Sequence, residues 1–188
     1  MSIWKDKKFI MRVILHSIFV MISVAIALLA KAYADQFVGS PIPDLILDHI
    51  PQIDTSFFFY EGAFMLVGVL LYIVMRVPRY IPFTLASIAL MYLVRSLVMV
   101  TTHLPPAHAP SGADLFFSGH TALPFLLGLI FWEFTTARYF FFIASVIAGV
   151  SVLLSHVHYS IDVLAAPFIT YAVFVLAKNI FKKEYDLT

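Results

Sequence analysis

Residues 139–180 have the sequence YFFFIASVIAGVSVLLSHVHYSIDVLAAPFITYAVFVLAKNI. This stretch consists of two long apolar runs that meet at the polar segment SHVHYSID, residues 155–162. A helix needs about 20 mainly apolar residues to cross the hydrocarbon core of a membrane, and each run has about that length. The segment therefore predicts two transmembrane helices, from about Tyr139 to Val157 and from about Tyr159 to Ile180.

The composition of the whole chain points the same way. Of the 188 residues, 62% are hydrophobic and only 12% are charged, and the mean hydropathy is +0.95. Soluble domains usually have about 45–50% apolar and about 25% charged residues, so a soluble enzyme is excluded. A net charge of +1 leaves no basic surface for nucleic acid, and the absence of cysteine excludes thiolate catalysis and Cys-ligated metals.

Other apolar stretches extend the pattern along the chain. The basic residues before the first of them resemble the start of a signal peptide, but the apolar run is longer than the roughly 7–15 residues of such a signal, which predicts an uncleaved anchor. We predict an all-α fold, a six-transmembrane-helix bundle that forms a single membrane domain over residues 1–188, with its motifs within about 40–170. The four remaining predicted spans are about Phe9–Ala30, Phe57–Met75, Ile81–Thr101 and His120–Thr136.

Basic residues prefer the cytoplasmic side of a membrane and so predict the orientation of the spans. With both termini cytoplasmic, the segments around His120 and His158 lie together at the exoplasmic face. This multi-pass topology puts ten of the twelve basic residues inside, namely Lys5, Lys7, Lys8, Arg12, Arg76, Arg79, Arg138, Lys178, Lys182 and Lys183.

The outer end of the bundle holds the residues that can do chemistry. Ser118-Gly119-His120-Thr121 leads into the fourth span, and His158 and Asp162 lie four residues apart where the sixth begins. If the helix has already started at His158, the two side chains share one face. An Asp inside a membrane helix is costly unless partnered, so Asp162 is expected to orient His158 and stabilise its imidazolium.

Two further charged residues lie near this end. Arg95 is inside the third span, where its planar fork suits phosphate, and we favour anion binding over snorkelling to the interface. Glu61 either partners Arg95 or a histidine, or faces the lipid headgroups. His156 and His158 do not share a helix face and no third or fourth ligand accompanies them, so we expect no metal and no other cofactor.

The ordered motifs resemble those of the sphingomyelin synthase family, a branch of the type 2 phosphatidic acid phosphatase superfamily. The motifs are Pro41-Ile42-Pro43-Asp44 with Asp48 and Pro51; Arg95 with Thr101 and Leu104-Pro105; Asp114-Leu115-Phe116-Phe117-Ser118-Gly119-His120-Thr121; and His156-Val157-His158-Tyr159-Ser160-Ile161-Asp162-Val163.

This resemblance implies a metal-free enzyme that moves a phospho-headgroup from a phospholipid donor to a ceramide-like or other lipid alcohol on the exoplasmic leaflet. His158 would be the nucleophile, Asp162 its orienting carboxylate and His120 the general acid and base. The residues predicted to bind substrate are Arg95, Ser118, Gly119, Tyr159, Asp44 and Glu61.

The chain departs from the wider superfamily in its cations. Ile88 and Val152 stand where that pattern has Lys and Arg, so Arg95 is the one remaining cationic side chain of the three that the pattern expects. A phosphomonoester carries about −1.5 to −2 charges near neutral pH, whereas one Arg balances a monoanionic diester. We therefore favour a diester-cleaving transferase over two alternatives: a lipid phosphatase or phospholipase C-like hydrolase, and a non-enzymatic transporter or scaffold with pH-sensing histidines. The headgroup and the oligomeric state are left open.

The predicted topology can be tested by cysteine labelling, since the chain has no cysteine of its own. Ala113→Cys should react with a membrane-impermeant maleimide in intact cells, because residues 103–117 are predicted to lie outside. Labelling that occurs only after lysis would contradict the topology and the exoplasmic site.

Overall fold

The computed structural model describes residues 3–37, 40–102, 104–105, 107 and 116–188, without the side chains of residues 56, 59 and 60. The described chain is helical and contains no strand, which confirms the predicted all-α class for these ranges. Short 3-10 turns occupy Ile3–Lys5, Asp35–Phe37, Leu47–His49 and Pro78–Tyr80. The helices are α1 (Lys7–Ala34), α2 (Ser56–Arg76), α3 (Ile81–Thr101), α4 (Gly119–Ile130), α5 (Thr135–Leu154), α6 (Ser160–Ile180) and the single-turn α7 (Lys182–Tyr185).

Several of these helices are apolar enough to cross a membrane, which is compatible with a multi-pass membrane protein. Four segments of the described chain meet the length and composition required, namely Lys7–Phe37, Pro78–Thr101, Thr135–Leu154 and Ser160–Ile180.

The predicted count of six spans is not confirmed. The four segments are those found among the described residues, and α4, with 12 residues, is a shorter apolar helix. At about 1.5 Å per residue α4 is about 18 Å long, well short of a hydrocarbon core of about 30 Å. The fourth span was predicted to run to Thr136, but the helix ends at Ile130 because Phe131 leaves the helical conformation with ψ of 33°.

α1 packs lengthwise along α3 through a row of small side chains. Ser23, Ala27, Ala30 and Ala34 are buried and follow one another at intervals of three or four residues, so they share one helix face. Met99 of α3 packs against this row. Small residues let two helix backbones approach closely, as is common between membrane helices.

α4 is the central helix of the bundle. Eight of its 12 residues are buried, and a helix that is apolar all round belongs in the interior of a bundle. α3, α5 and α6 surround it and contribute Phe83, Phe141 and Val173 to the same core. Beyond the last turn of α4, the ring of Phe131 stacks on Tyr80 at 5.3 Å between centroids and on Phe141 at 5.9 Å.

Glycines allow α5 to approach its neighbours. A Cβ atom on Gly128 would lie 2.7 Å from the Phe142 ring, and one on Gly149 would lie 3.0 Å from Val163 and 3.4 Å from the Thr121 hydroxyl. The second contact joins α4, α5 and α6 close to the end of the bundle where α4 begins.

Gly128→Ala should lower the stability of the bundle by about 1–3 kcal/mol, because overpacking forces neighbouring side chains to move. The Phe142 ring has little room to retreat, since it also contacts the rings of Phe125 and Trp132. The measurement is thermal unfolding in detergent. Gly68→Ala is the matched control, because nothing lies within 4 Å of a Cβ at Gly68; equal melting temperatures for the two variants would contradict the close α4–α5 contact.

Candidate active site

The start of α4 is fastened to α5 and α6 by hydrogen bonds. The Ser118 N–H donates to the Asp162 carbonyl at 3.2 Å. The Thr121 hydroxyl donates to Ser118 Oγ at 3.2 Å, and the Ser145 hydroxyl of α5 donates to the Thr121 carbonyl at 2.8 Å. Ser118 is fully buried, so it supports the site and does not line an open surface. These bonds fix where the next side chain, His120, projects.

His158 lies in the turn before α6, and its ring is paired with Asp162. α6 begins at Ser160, close to the predicted start at about Tyr159, so His158 precedes the helix. The two side chains meet nevertheless, with His158 Nδ1 3.5 Å from Asp162 Oδ2. The reason is that Asp162, in the first helical turn, points back and also accepts the Tyr159 N–H at 2.9 Å. Both side chains are buried, with His158 4% and Asp162 0% exposed.

His120 and His158 are neighbours across the gap between α4 and the α5–α6 turn. Their ring centroids are 6.3 Å apart, with an angle of 64° between the ring planes. His120 is exposed while His158 is buried behind it. Because Nδ1 of His158 is the atom on the Asp162 side, Nε2 lies on the opposite edge of the ring.

Arg95 is held against the first turn of α4. Its Nε donates to the Phe117 carbonyl at 2.9 Å, and a Cβ on Gly119 would lie 3.5 Å from its Cζ. A Cβ at residue 119 would therefore be in van der Waals contact with the guanidinium group. A helix N-terminus attracts anions, and here an arginine lies beside it, next to His120. The arrangement is suited to an anionic group between Arg95 and the two histidines.

Asp44 contacts the N-terminus of α6 through Ser160. Its carboxylate accepts the Ser160 N–H at 2.8 Å and the Ser160 hydroxyl at 2.7 Å. Burial by itself would raise the pKa of Asp44, but the hydrogen bonds from Ser160, Leu47 and Ile46 outweigh it and hold that pKa below its usual range. Asp44 is thus an ionised anchor for the backbone.

The two remaining residues predicted to bind substrate, Tyr159 and Glu61, lie in different surroundings. Tyr159 is 2% exposed, and its hydroxyl oxygen accepts the Ile42 N–H at 3.1 Å. Glu61 is exposed on α2, and among the described residues its side chain forms no ion pair or hydrogen bond with Arg95 or with a histidine. Asp114, Leu115, His103 and His108 lie outside the described residues.

Among the described residues, no group of three or more His, Asp or Glu side chains could hold a metal ion. A cavity of about 720 Å³ lies between α2 and the start of α5, at the end of these helices remote from His158. Its lining includes Arg76 and Glu133 but none of the predicted site residues. This cavity is therefore separate from the candidate site.

The sequence did not predict two groups that form hydrogen bonds with the site residues. The Phe117 carbonyl holds Arg95, and nothing in the sequence signals a backbone contact of this kind. Ser160 is the partner of Asp44. Its position between His158 and Asp162 offered a signal, since a Ser at the first turn of a helix is often tied to a carboxylate or a backbone group.

The fold and the site together define a helical membrane protein with two histidines, a buried aspartate and an arginine at one end of the bundle. Residues 112–179 match the family model described as PAP2 superfamily C-terminal, a range that includes His120, His158 and Asp162 but not Arg95. The match supports the PAP2 superfamily, and with it an enzyme that acts on phosphate esters by phosphatase or phosphotransferase-type lipid chemistry. It does not single out the sphingomyelin synthase branch. No curated protein matches the chain.

Arg95→Lys should lower turnover at least about tenfold, or about 1.4 kcal/mol of transition-state stabilisation. A lysine keeps the charge, but it cannot donate to the Phe117 carbonyl and present a planar fork to two phosphate oxygens at once. The measurement is the rate of headgroup release from a phospholipid in micelles. Arg76→Lys is the control at the remote end of α2, and equal rates for both variants would show that Arg95 has no part in the chemistry.

Proposed function

We propose that this protein transfers a phospho-headgroup from a glycerophospholipid to a ceramide-like or other lipid alcohol through a phosphohistidine intermediate on His158. The observation that carries the proposal is the paired arrangement of His158 with Asp162, facing His120 at 6.3 Å between ring centroids. One imidazole is oriented and buried, as a nucleophile needs, and the other is exposed, as a proton carrier needs.

In the first half-reaction, Nε2 of His158 attacks the phosphorus of the donor. The P–N bond forms as the P–O bond to diacylglycerol breaks. His120, in its protonated form, gives its proton to the departing glycerol oxygen. Asp162 on Nδ1 keeps His158 in the tautomer whose Nε2 lone pair is available and stabilises the cationic ring of the phosphohistidine.

In the second half-reaction, the neutral His120 takes the proton of the acceptor hydroxyl. The acceptor oxygen attacks phosphorus, the P–N bond breaks and the electron pair returns to His158. Both histidines are then in their starting states, so no external proton source or oxidant is needed. If water takes the place of the lipid alcohol, the same steps give a phospholipase C-like hydrolase, which is the alternative function.

The charge of the site supports a diester substrate over a monoester. Arg95 lies against α4, whereas the superfamily's other cationic positions hold Ile88, which packs against the core, and Val152, which is fully buried. A monoester with about −1.5 to −2 charges would be left partly uncompensated beside one arginine. A phosphodiester headgroup carries a single negative charge on phosphorus, which Arg95 can balance. The apolar helices around the site supply access for lipid substrates.

A donor labelled in its phospho-headgroup and supplied without acceptor tests the intermediate. We expect acid-labile label on the purified protein, provided that water reacts slowly with the intermediate, and we expect His158→Ala to abolish this label.

His120→Ala should slow cleavage of a natural donor by about 100-fold or more. The same variant should slow cleavage of a p-nitrophenyl ester much less, because that leaving group needs little protonation. Asp162→Asn should keep the fold but lose most of the activity, since an amide cannot stabilise the imidazolium.

The outcomes separate the candidate functions. Label that moves to added ceramide or diacylglycerol supports transfer, whereas label released only as free headgroup phosphate supports the hydrolase. His49→Ala is the matched control, because His49 is an exposed histidine whose Nδ1 lies 2.8 Å from the Leu45 carbonyl. Transfer retained in His158→Ala, or label found on His120, would overturn the assignment of roles.

A further inference from the structure

The chain between α1 and α2 contacts both sides of the turn that carries His158. We call residues 40–55 the crossing segment. Its first part contacts the beginning of α6, and its last part contacts the end of α5. Helix ends leave backbone donors and acceptors without intrahelical partners, and the crossing segment satisfies several of these at both ends of the turn.

On the α6 side, Asp44 is the main contact. The Ser160 N–H and hydroxyl both donate to its carboxylate, at 2.8 Å and 2.7 Å. A second bond nearby runs from the Ile42 N–H to the Tyr159 hydroxyl at 3.1 Å. A carboxylate at a helix N-terminus is also favoured by the helix dipole. Asp44 therefore caps α6 from a distant part of the chain.

On the α5 side, the contacts are made to the last carbonyls of the helix. The Ile53 N–H donates to the Leu154 carbonyl at 2.8 Å, and the Thr55 hydroxyl donates to the Ser151 carbonyl at 2.9 Å. Thr55 is buried, so water does not replace this bond readily. Both ends of the His158 turn are thus held by one segment.

The turn itself needs such support. His156 has a φ of 54°, in the left-handed region that residues with a side chain rarely adopt. Conformations of this kind persist only where the surrounding structure holds them. Asp44 is well placed to do so because its own position is fixed: Oδ1 accepts the Ile46 and Leu47 N–H groups at 2.9 Å and 3.1 Å, and its N–H donates to Asp48 at 3.1 Å.

We propose that Asp44 is a positioning residue for the His158 ring, acting through Ser160 to hold the α5–α6 turn. The proposal rests on the proposed function in taking His158 as the nucleophile. It replaces the expectation that Asp44 binds substrate, since both carboxylate oxygens already accept bonds from Ser160 and the crossing segment. Ser160 is two residues from His158, so a displaced helix start would move the ring relative to His120.

The test is a double-mutant cycle with Asp44→Asn and Ser160→Ala, read as the rate of His158 labelling at saturating donor and as the donor KM. Each single variant should lower the labelling rate about 10- to 100-fold, because small misplacements of a reacting group have effects of that size. The donor KM should stay within about twofold, as expected when an interaction is not made to substrate. The labelling rate of the double variant should lie within about twofold of the rate of the slower single variant, because both substitutions remove the same interaction.

A readout that does not depend on activity accompanies the cycle. A nitroxide attached to Val157→Cys, at an exposed position of the turn, should become more mobile when Asp44→Asn or Ser160→Ala is added. Asp35→Asn is the control, an acidic residue just before the crossing segment that pairs with Lys31 at 2.6 Å. It should change neither mobility nor labelling.

The possible results lead to distinct conclusions. A raised donor KM with an unchanged rate in Asp44→Asn, multiplicative effects of the two substitutions, or unchanged nitroxide mobility would each overturn the positioning role. If Asp44→Asn does not fold, Ser160→Ala and Ser160→Thr decide the matter, since Thr keeps the hydroxyl and should restore the rate. Wild-type protein that takes up no label while the mobility changes as expected would refute the proposed function and leave the structural role of Asp44 standing.

Discussion

The contacts of Asp162 are the constraint on which the candidate site depends. Its side chain, 0% exposed, lies 3.5 Å from His158 Nδ1 and accepts the Tyr159 N–H at 2.9 Å, while its carbonyl accepts the Ser118 N–H at 3.2 Å. One residue thus orients a histidine, shapes the start of α6 and attaches the start of α4. Removing a buried charge from such a network leaves its partners unsatisfied, so the network holds together as a unit.

The rest of the bundle keeps these groups in register. α4 is buried along most of its length, and the close approach at Gly149 sets the distance between α4, α5 and α6 near the site. α3 adds Arg95, and the crossing segment adds Asp44. His120, His158 and Asp162 therefore sit at the start of a helix or in the turn before it, where bonds to other elements hold the backbone. Sites supported in this way hold their geometry better than sites on isolated loops.

Much of the site could be read from the sequence because its signals are local. The spacing of His158 and Asp162, the cost of a charge among apolar residues and the Ser-Gly-His-Thr turn predicted the cluster, and α6 begins within one residue of its predicted start. What could not be read were contacts between distant segments: the bond between Asp44 and Ser160 spans 116 positions along the chain. The early end of α4 was also missed, because apolar residues continue through Phe131 and Trp132 and composition alone does not mark a turn.

The two positions at which the superfamily pattern has Lys and Arg are occupied here by apolar side chains that pack inside the bundle. Val152 is fully buried and its carbonyl accepts the Val157 N–H of the His158 turn at 3.1 Å, while Ile88 packs against the central core. A lysine or arginine at either position would place a charge among apolar side chains, which is costly unless a bound anion compensates it. A site that permanently held a dianionic ester could bear such charges, and one that holds a monoanion could not. The apolar packing at these two positions and the guanidinium of Arg95 on α3 therefore both favour the proposed diester substrate, which carries one negative charge.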